Sequence, residues 1–378
     1  DINPQTGDLT LSFTDVSLPG RGGSRFSFAR TWSLNRANVF TMYWNQNTRN
    51  NGLNCTTTEH RNNLGVGWSA NLPYILSDDS PGQTVLTLFF DGAYLLNQSG
   101  LGTNSPDVSN LLYYDLLDKR IYEDACIHYG EADDLSDLQA TYNVSDQEFD
   151  YNQYVLVLKD NSKYFFRPDG KLMKQTDRTG TNSIWYFYNI DDNLCLVVDT
   201  VGRKIQFSYT DGNLTQISWN VDCMMIQPDR SRAVETITKT VTYEYQSAET
   251  FPDVLQLKND ITGDYKEPFI LVSVTDPMGN VTKYDWETGL AGFTYNKKKS
   301  HWQNVSMLLT DIRSVYTNDG TEKCMNKRSF EYEVPADGMY TKYFYSGYME
   351  YYKVSREYTT NRHGRIMNNT RYIYYDNG

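Results

Sequence analysis

Residues 169–214 read DGKLMKQTDRTGTNSIWYFYNIDDNLCLVVDTVGRKIQFSYTDGNL, and this stretch decides the fold. Within it, Asp177-Arg178-Thr179-Gly180 and Asp199-Thr200-Val201-Gly202 are two copies of Asp-x-x-Gly. Each is followed by an alternating run that ends in an aromatic, Trp185-Tyr186-Phe187-Tyr188 and Phe207-Ser208-Tyr209. A third copy, Asp276-Pro277-Met278-Gly279, precedes Tyr284-Asp285-Trp286. Asp177 and Asp199 stand 22 residues apart, and Leu172, Leu194 and Leu214 step by 22 and then 20. A unit of this length holds two short strands and two turns. No such hairpin buries both faces alone, so stacked neighbours must complete the core in one continuous curled sheet. In each unit Asp accepts hydrogen bonds from the turn backbone, Gly supplies a positive φ, and Tyr packs on the adjacent repeat. The repeat-defining residues are therefore Asp177, Gly180, Tyr188, Asp199, Gly202, Tyr209, Asp276, Gly279 and Tyr284.

Outward from this stretch, strand signals dominate: residues 9–13, 25–32, 85–90, 154–158, 236–245 and 371–375 are rich in β-branched and aromatic residues, several with a period of two. Asp-Gly pairs at Asp91, Asp169, Asp211, Asp319 and Asp337 mark hairpin turns. One stretch, residues 131–141, has helical spacing at Leu135 and Leu138. Residues 44–63 and 221–232 read as insertions, the second interrupting the repeat. The expected fold is all-β, a long antiparallel sheet of stacked hairpins that curls into part of a hollow shell or barrel. Two regions are expected, an amino-terminal β module over residues 1–165 and the repeat sheet over 166–378.

Composition narrows the function. Aromatics reach 14% with 31 Tyr, which suits strands whose rings pack while hydroxyls reach polar partners. A net charge of -12 and a pI near 4.9 disfavour a nucleic-acid surface, which needs clustered Lys and Arg. The basic run at residues 297–299 reads as a solvated loop. No apolar run is long enough for a membrane span. Cys55, Cys126, Cys195, Cys223 and Cys324 contain no C-x-x-C pair, so neither a zinc ribbon nor a redox motif is present. The sequence begins at Asp1 and stops in a turn-like Asp376-Asn377-Gly378, and it reads as a piece of a longer polypeptide.

The recurrence of Tyr and Asp at about 21-residue steps resembles the YD repeats of the RHS family. The amino-terminal residues 3–23 (NPQTGDLTLSFTDVSLPGRGG), with 26–32 (FSFARTW) and 64–69 (LGVGWS), resemble the module that opens the repeat region in bacterial RHS proteins. The resemblance implies a β-sheet spiralling into a shell that encloses a carboxy-terminal toxin in polymorphic toxins, or supports adhesion in teneurin-like proteins. It implies a secreted or cell-surface bacterial protein. Its partners would be the remainder of the same polypeptide and its carboxy-terminal cargo. The chain departs from the family pattern in lacking the cleavage core and the toxin, so those activities have no residues here.

Chemistry is harder to find. His60, His128, His301 and His363 are isolated in sequence, and neither H-E-x-x-H nor a close ligand pair occurs. Gly67-Trp68-Ser69 begins a nucleophile elbow, but Asn71 stands at the second Gly. Residues 189–193 are acidic, yet Leu194 and Thr200 break the EF-hand pattern. The Gly-rich residues 18–23 lack the Gly-Lys-Ser/Thr ending of a phosphate loop and read as a hairpin turn. No catalytic residue, metal site or cofactor is expected, and the chain reads as a structural scaffold and not an enzyme. The alternative is a carbohydrate-binding or adhesion module using exposed Tyr clusters such as residues 340–352.

Overall fold

The computed structural model describes residues 1–44, 53–57, 63–80, 83–96, 119–131, 135–145, 150–226, 231–258, 265–295, 298–333, 341–343, 347–349 and 352–374. The amino-terminal part holds the hairpin β1 (Thr10–Pro19) and β2 (Arg25–Ser33), then the pair β3 (Phe40–Trp44) and β4 (Leu53–Thr57). The short strand β5 (Trp68–Ala70) pairs with the open side of β2. A meander follows, β6 (Tyr74–Ser80), β7 (Gln83–Phe89) and β8 (Ala93–Leu96).

One large antiparallel sheet takes up the rest. It starts at β9 (Lys119–Glu123); helix α1 (Leu135–Tyr142) intervenes before β10 (Tyr154–Leu158). It continues as β11 (Lys163–Phe166), β12 (Leu172–Thr176), β13 (Ser183–Tyr188), β14 (Leu194–Val198), β15 (Lys204–Thr210), β16 (Asn213–Ile226) and β17 (Arg232–Ser247). Helix α2 (Pro252–Lys258) leads into β18 (Phe269–Thr275), β19 (Val281–Tyr295), β20 (Lys298–Asn318) and β21 (Thr321–Glu333). The pair β22 (Thr341–Tyr343) and β23 (Gly347–Met349) branches off to β19. Strands β24 (Lys353–Asn361) and β25 (Ile366–Arg371) complete the order, β24 pairing with β21. The all-β expectation holds, with an antiparallel sheet of 15 strands. The sheet is not closed into a barrel: among the described residues, no strand ladder joins β9 to β25. A sheet closes on itself to bury its own apolar face, and here the amino-terminal strands cover that face instead. Among the described residues the first strand of this sheet is β9, which lies within residues 1–165.

The repeat is carried by a β-bulge in every second strand pairing. Register shifts bring Phe166 opposite Leu172, Tyr188 opposite Leu194, Tyr209 opposite Leu214, Tyr245 opposite Leu271, Trp286 opposite Leu309 and Tyr332 opposite Val354. Each bulge interrupts the backbone ladder, and the aromatic of the next unit answers at that point. Tyr188 donates to the Leu172 carbonyl (2.7 Å), Tyr209 to Leu194 (2.9 Å), Tyr245 to Leu214 (2.8 Å), Trp286 Nε1 to Leu271 (2.8 Å), Tyr332 to Leu309 (2.7 Å) and Tyr374 to Val354 (2.6 Å). The extra residue of the bulge makes a second contact wherever it carries a donor. Cys195, Thr215, Thr310 and Ser355 donate to the carbonyls of Phe187, Ser208, Asp285 and Glu331.

The turns follow from the same short pattern. In the Asp177, Asp199 and Asp276 turns, the Asp carbonyl accepts from the amide of Gly180 (3.1 Å), Gly202 (2.9 Å) and Gly279 (3.0 Å). The Asp Oδ1 accepts from the amide two residues on, Thr179, Val201 and Met278. The glycines sit at φ of 75°, 82° and 83°, a left-handed conformation that side chains resist. Asn361 and Gly364 form a further turn of this kind, with Asn361 Oδ1 accepting from His363 and Arg365. The Asp211-Gly212 and Asp319-Gly320 pairs have positive φ at both residues, as two-residue hairpins require. Asp337 lies outside the described residues.

Of residues 221–232, read as an insertion, 221–226 and Arg232 belong to the outer part of one long ribbon, and 227–230 lie outside the described residues. Residues 220–226 of β16 pair with 232–238 of β17, past the points where β15 and β18 end at Trp219 and Thr242. The strands run on because nothing in the sequence stops them, and the repeat is lengthened without being broken. Removing a ladder hydroxyl should expose its worth: Tyr209→Phe and Tyr332→Phe should each destabilise the chain by about 1–2 kcal/mol in urea unfolding. Tyr316→Phe, at an exposed position on β20, should change the midpoint little.

Candidate functional site: the aromatic face around Arg30

Two residues before each ladder aromatic on the same strand lies a second ring, facing the same side of the sheet. These are Tyr164, Tyr186, Phe207, Tyr243, Tyr284 and Phe330, opposite Gln175, Val197, Ile217, Val274, Ile312 and Glu357. Tyr284, named from sequence as the counterpart of Tyr188 and Tyr209, thus sits in this second row, and Trp286 holds the position equivalent to theirs. The sequence signal is aromatic-x-aromatic: Tyr164-x-Phe166, Tyr186-x-Tyr188, Phe207-x-Tyr209, Tyr243-x-Tyr245, Tyr284-x-Trp286, Phe330-x-Tyr332 and Tyr372-x-Tyr374.

The amino-terminal module packs along this row and, at Trp286, on the ladder row. Phe90 packs on Tyr164 (ring centroids 5.0 Å apart), Phe26 on Tyr186 (6.5 Å), Phe28 on Phe207 (5.4 Å), Phe13 and Trp68 on Tyr284 (6.0 and 5.4 Å), and Trp32 on Trp286 (5.8 Å). Backbone bonds fasten the two layers at points spread across the sheet: Ile75 to Gly170, Val66 to Phe269, Val39 to Val305, and Val354 to Gly7. Gly170 cannot carry a side chain, since a Cβ there would lie 1.9 Å from the Ile75 carbonyl oxygen.

Strand β2 alternates Phe26, Phe28, Arg30 and Trp32 toward the sheet, so a guanidinium occupies one slot of an apolar row. Its partner comes from a bulge. The β1–β2 register slips at Asp15, turning the side-chain phase from Leu11 and Phe13 to Val16 and Leu18 and aiming the carboxylate inward. Asp15 Oδ2 accepts from Arg30 Nε at 2.8 Å and from the Tyr243 hydroxyl at 2.8 Å. The rings of Phe13, Trp68 and Tyr284 surround the guanidinium at 4.8, 4.7 and 5.3 Å. Burial works to discharge Arg30, but the Tyr284 phenol and the Asp15 carboxylate outweigh it and hold it firmly charged. Arg30 and Asp15 are only 2% and 5% exposed, so the pair is a fastener and not a surface ion pair.

A second buried cation lies in the first turns of the sheet. Arg167 binds Asp169 of its own turn and Asp192 of the next (3.2 Å), and stacks on Tyr188 (4.8 Å). Lys171 reaches Asp192 as well, at 2.8 Å, so Asp192 of the acidic stretch 189–193 faces two protein cations. Ser69, from the near-elbow motif, receives Arg36 and donates to the Thr31 carbonyl. Among the described residues, no three His, Cys, Asp or Glu side chains gather as metal ligands, and Cys126, Cys195, Cys223 and Cys324 are free thiols. His60 and Cys55, and the side chains of residues 341–351, lie outside what is described.

These features define a β-repeat sheet of aromatic units covered on its apolar face by an amino-terminal β module. No known protein family and no curated protein matches the sequence. Among solved structures, the crystal structure of TcdB2-TccC3-TEV is similar at 9% identity with a TM-score of 0.15, over 96% of this chain and 27% of that one. The chain therefore spans about a quarter of that structure's length, and a likeness this slight carries no argument about fold or function.

Asp15→Ala should cost about 3–5 kcal/mol by leaving a buried guanidinium without its carboxylate. The double variant Asp15→Leu/Arg30→Met should recover most of that loss, read as a coupling energy from urea unfolding. Burial raises the phenols of Tyr188, Tyr243 and Tyr332 well above their usual value, and that of Tyr164 to about 12. Unfolded phenols ionise near about pH 10, so the stability these groups contribute is complete below that pH and is lost as the pH rises past it. Tyrosinate absorbance and loss of β-sheet circular dichroism should therefore rise together above about pH 10.

Proposed function

We propose that this chain is a structural scaffold, a wall segment of a secreted or surface-delivered RHS-repeat protein that displays or helps enclose a carboxy-terminal effector. The observation that carries the reading is the six-fold repetition of a phenol or indole donor on the carbonyl at the preceding bulge. Side chains committed in this way to stitching neighbour to neighbour build a quasi-one-dimensional wall. Charge clusters are likewise spent on fastening: Arg30 ties β2 to β1, and Arg167 ties one turn to the next. The sheet's apolar face is already covered by the amino-terminal module, so cargo would meet another surface of the wall.

A glycan-binding module would present ring faces to solvent. Among the described residues, the large exposed apolar side chains are chiefly Met, Ile, Leu and Val, with Tyr151, Tyr265 and Tyr316 the aromatic ones. Among the described residues the rings are largely spent on packing, which supports the scaffold reading; the cluster at residues 340–352 lies largely outside them. The scaffold and adhesion readings separate on a glycan array run with the purified chain, beside a panel of glycoside and peptide hydrolase substrates. A scaffold should give neither saturable binding nor turnover. Saturable binding to one glycan class would replace this reading with adhesion, and turnover would replace it with an enzyme.

A further inference from the structure

The methionines of this chain divide into two groups by their surroundings. Met173 and Met307 are fully buried. Met173 lies in a cluster with Tyr129, Leu138 and Phe187 beneath α1, and the Met307 amide donates to the Ala37 carbonyl of the amino-terminal module. Met224, Met225, Met278, Met325 and Met367 are instead 64%, 41%, 86%, 56% and 60% exposed. The side chains of Met42, Met339 and Met349 lie outside what is described. All five exposed residues stand toward the sheet end that carries the Asp-x-x-Gly turns. Met224 and Met225 are on the overhanging ribbon of β16 and β17, and Met278 is inside the Asp276 turn. Met325 follows the Asp319-Gly320 hairpin, and Met367 follows the Asn361 turn. Local backbone does not explain the division. Register shifts leave Met173, Met325 and Met367 each as the extra residue of a β-bulge, without a cross-strand partner. Cover explains it: the α1 cluster closes over Met173, and the other two are open to water.

We propose that this rim is a methionine-oxidation site, at which hydroperoxides convert Met224, Met225, Met278, Met325 and Met367 to sulfoxides while the sheet stays folded. The thioether sulfur attacks one oxygen of the hydroperoxide. An S–O bond forms, the O–O bond breaks, and the second oxygen leaves with the proton as water or an alcohol; sulfur gives up two electrons and the peroxide takes them. The oxidant must reach the sulfur, which exposure permits at the rim and burial denies at Met173 and Met307. A sulfoxide is polar and disrupts a core that has to hold it, whereas at the rim it meets water. At Met367 the sulfur already accepts from Asn361 Nδ2 at 3.6 Å, a donor that the sulfoxide oxygen retains close by. The inference rests on exposure and cover, and it stands whether or not the chain serves as a wall for an effector.

Hydrogen peroxide is the probe. The full chain is treated with it, quenched with free methionine at intervals and mapped by peptide mass spectrometry. Each rim methionine should gain one oxygen at least about tenfold faster than Met173 or Met307. The oxidised chain should keep its β-sheet circular dichroism and its melting midpoint, and a methionine sulfoxide reductase should return the mass to its starting value. Peroxide added to the chain unfolded in urea should oxidise Met173 and Met307 as fast as the rest, since cover is then gone. The proposal is overturned if Met173 or Met307 in the folded chain reacts as fast as the rim. It is overturned also if the rim stays reduced under peroxide that consumes free methionine, which would show these residues to be covered in solution. A melting midpoint that falls in step with the rim sulfoxides would overturn it too, because the rim would then be part of the packing.

Discussion

The bond on which this structure depends runs from a tyrosine hydroxyl to a carbonyl at the bulge of the preceding unit. A bulge breaks the backbone ladder, and a break repeated in every unit would loosen a sheet of this length. Tyrosine resolves the difficulty because its ring packs on the apolar face while its hydroxyl travels far enough to reach the exposed carbonyl. Trp286 shows that the requirement is a ring carrying a donor at its far end, since its indole nitrogen makes the same contact. Five of the 31 Tyr serve in this way, one hydroxyl for one bulge.

The second aromatic row has a different task. It offers a periodic set of rings to the amino-terminal strands, where Phe26, Phe28 and Arg30 meet Tyr186, Phe207 and Tyr284, while Trp32 meets Trp286 of the first row. Two strands running across many can keep step only if something fixes their position. The Asp15 bulge with Arg30 and Tyr243 does so, because a buried charge tolerates one location and no other. Packing supplies the attraction between the layers, and the ion pair supplies the registration.

Much of this was legible in the sequence. Asp-x-x-Gly marks three turns because both the side-chain acceptor and the left-handed glycine are written in it. The turn at Asn361 escaped because Asn performs the same service as Asp under a different letter. The placing of Tyr284 failed for a related reason: with two aromatics on one face, Tyr284 and Trp286, a pattern anchored on Tyr selects the wrong one. Later units escaped because hairpins of unequal length, such as the ribbon of residues 220–238, stretch the spacing while the bulge geometry stays fixed. The pairing of the two layers had no local sign. Asp15 and Tyr243 are separated by 228 residues, and no spacing rule links them.

That separation bears on how the chain comes to be folded. The amino-terminal strands are made first, yet the rings that cover them belong to strands made long afterward. Contacts between residues so far apart in sequence delay folding, because chain closure must be accomplished before the contact rewards it. Throughout synthesis of the repeats, the apolar row of β2 is a surface waiting for its other half, filled one ring at a time as Tyr186, Phe207, Tyr284 and Trp286 emerge in order. Arg30 in that row is then more than a fastener of the finished molecule. A charge set among Phe and Trp keeps the unfinished strand wet and unattractive to its own kind until Tyr243 and Tyr284 arrive to enclose it.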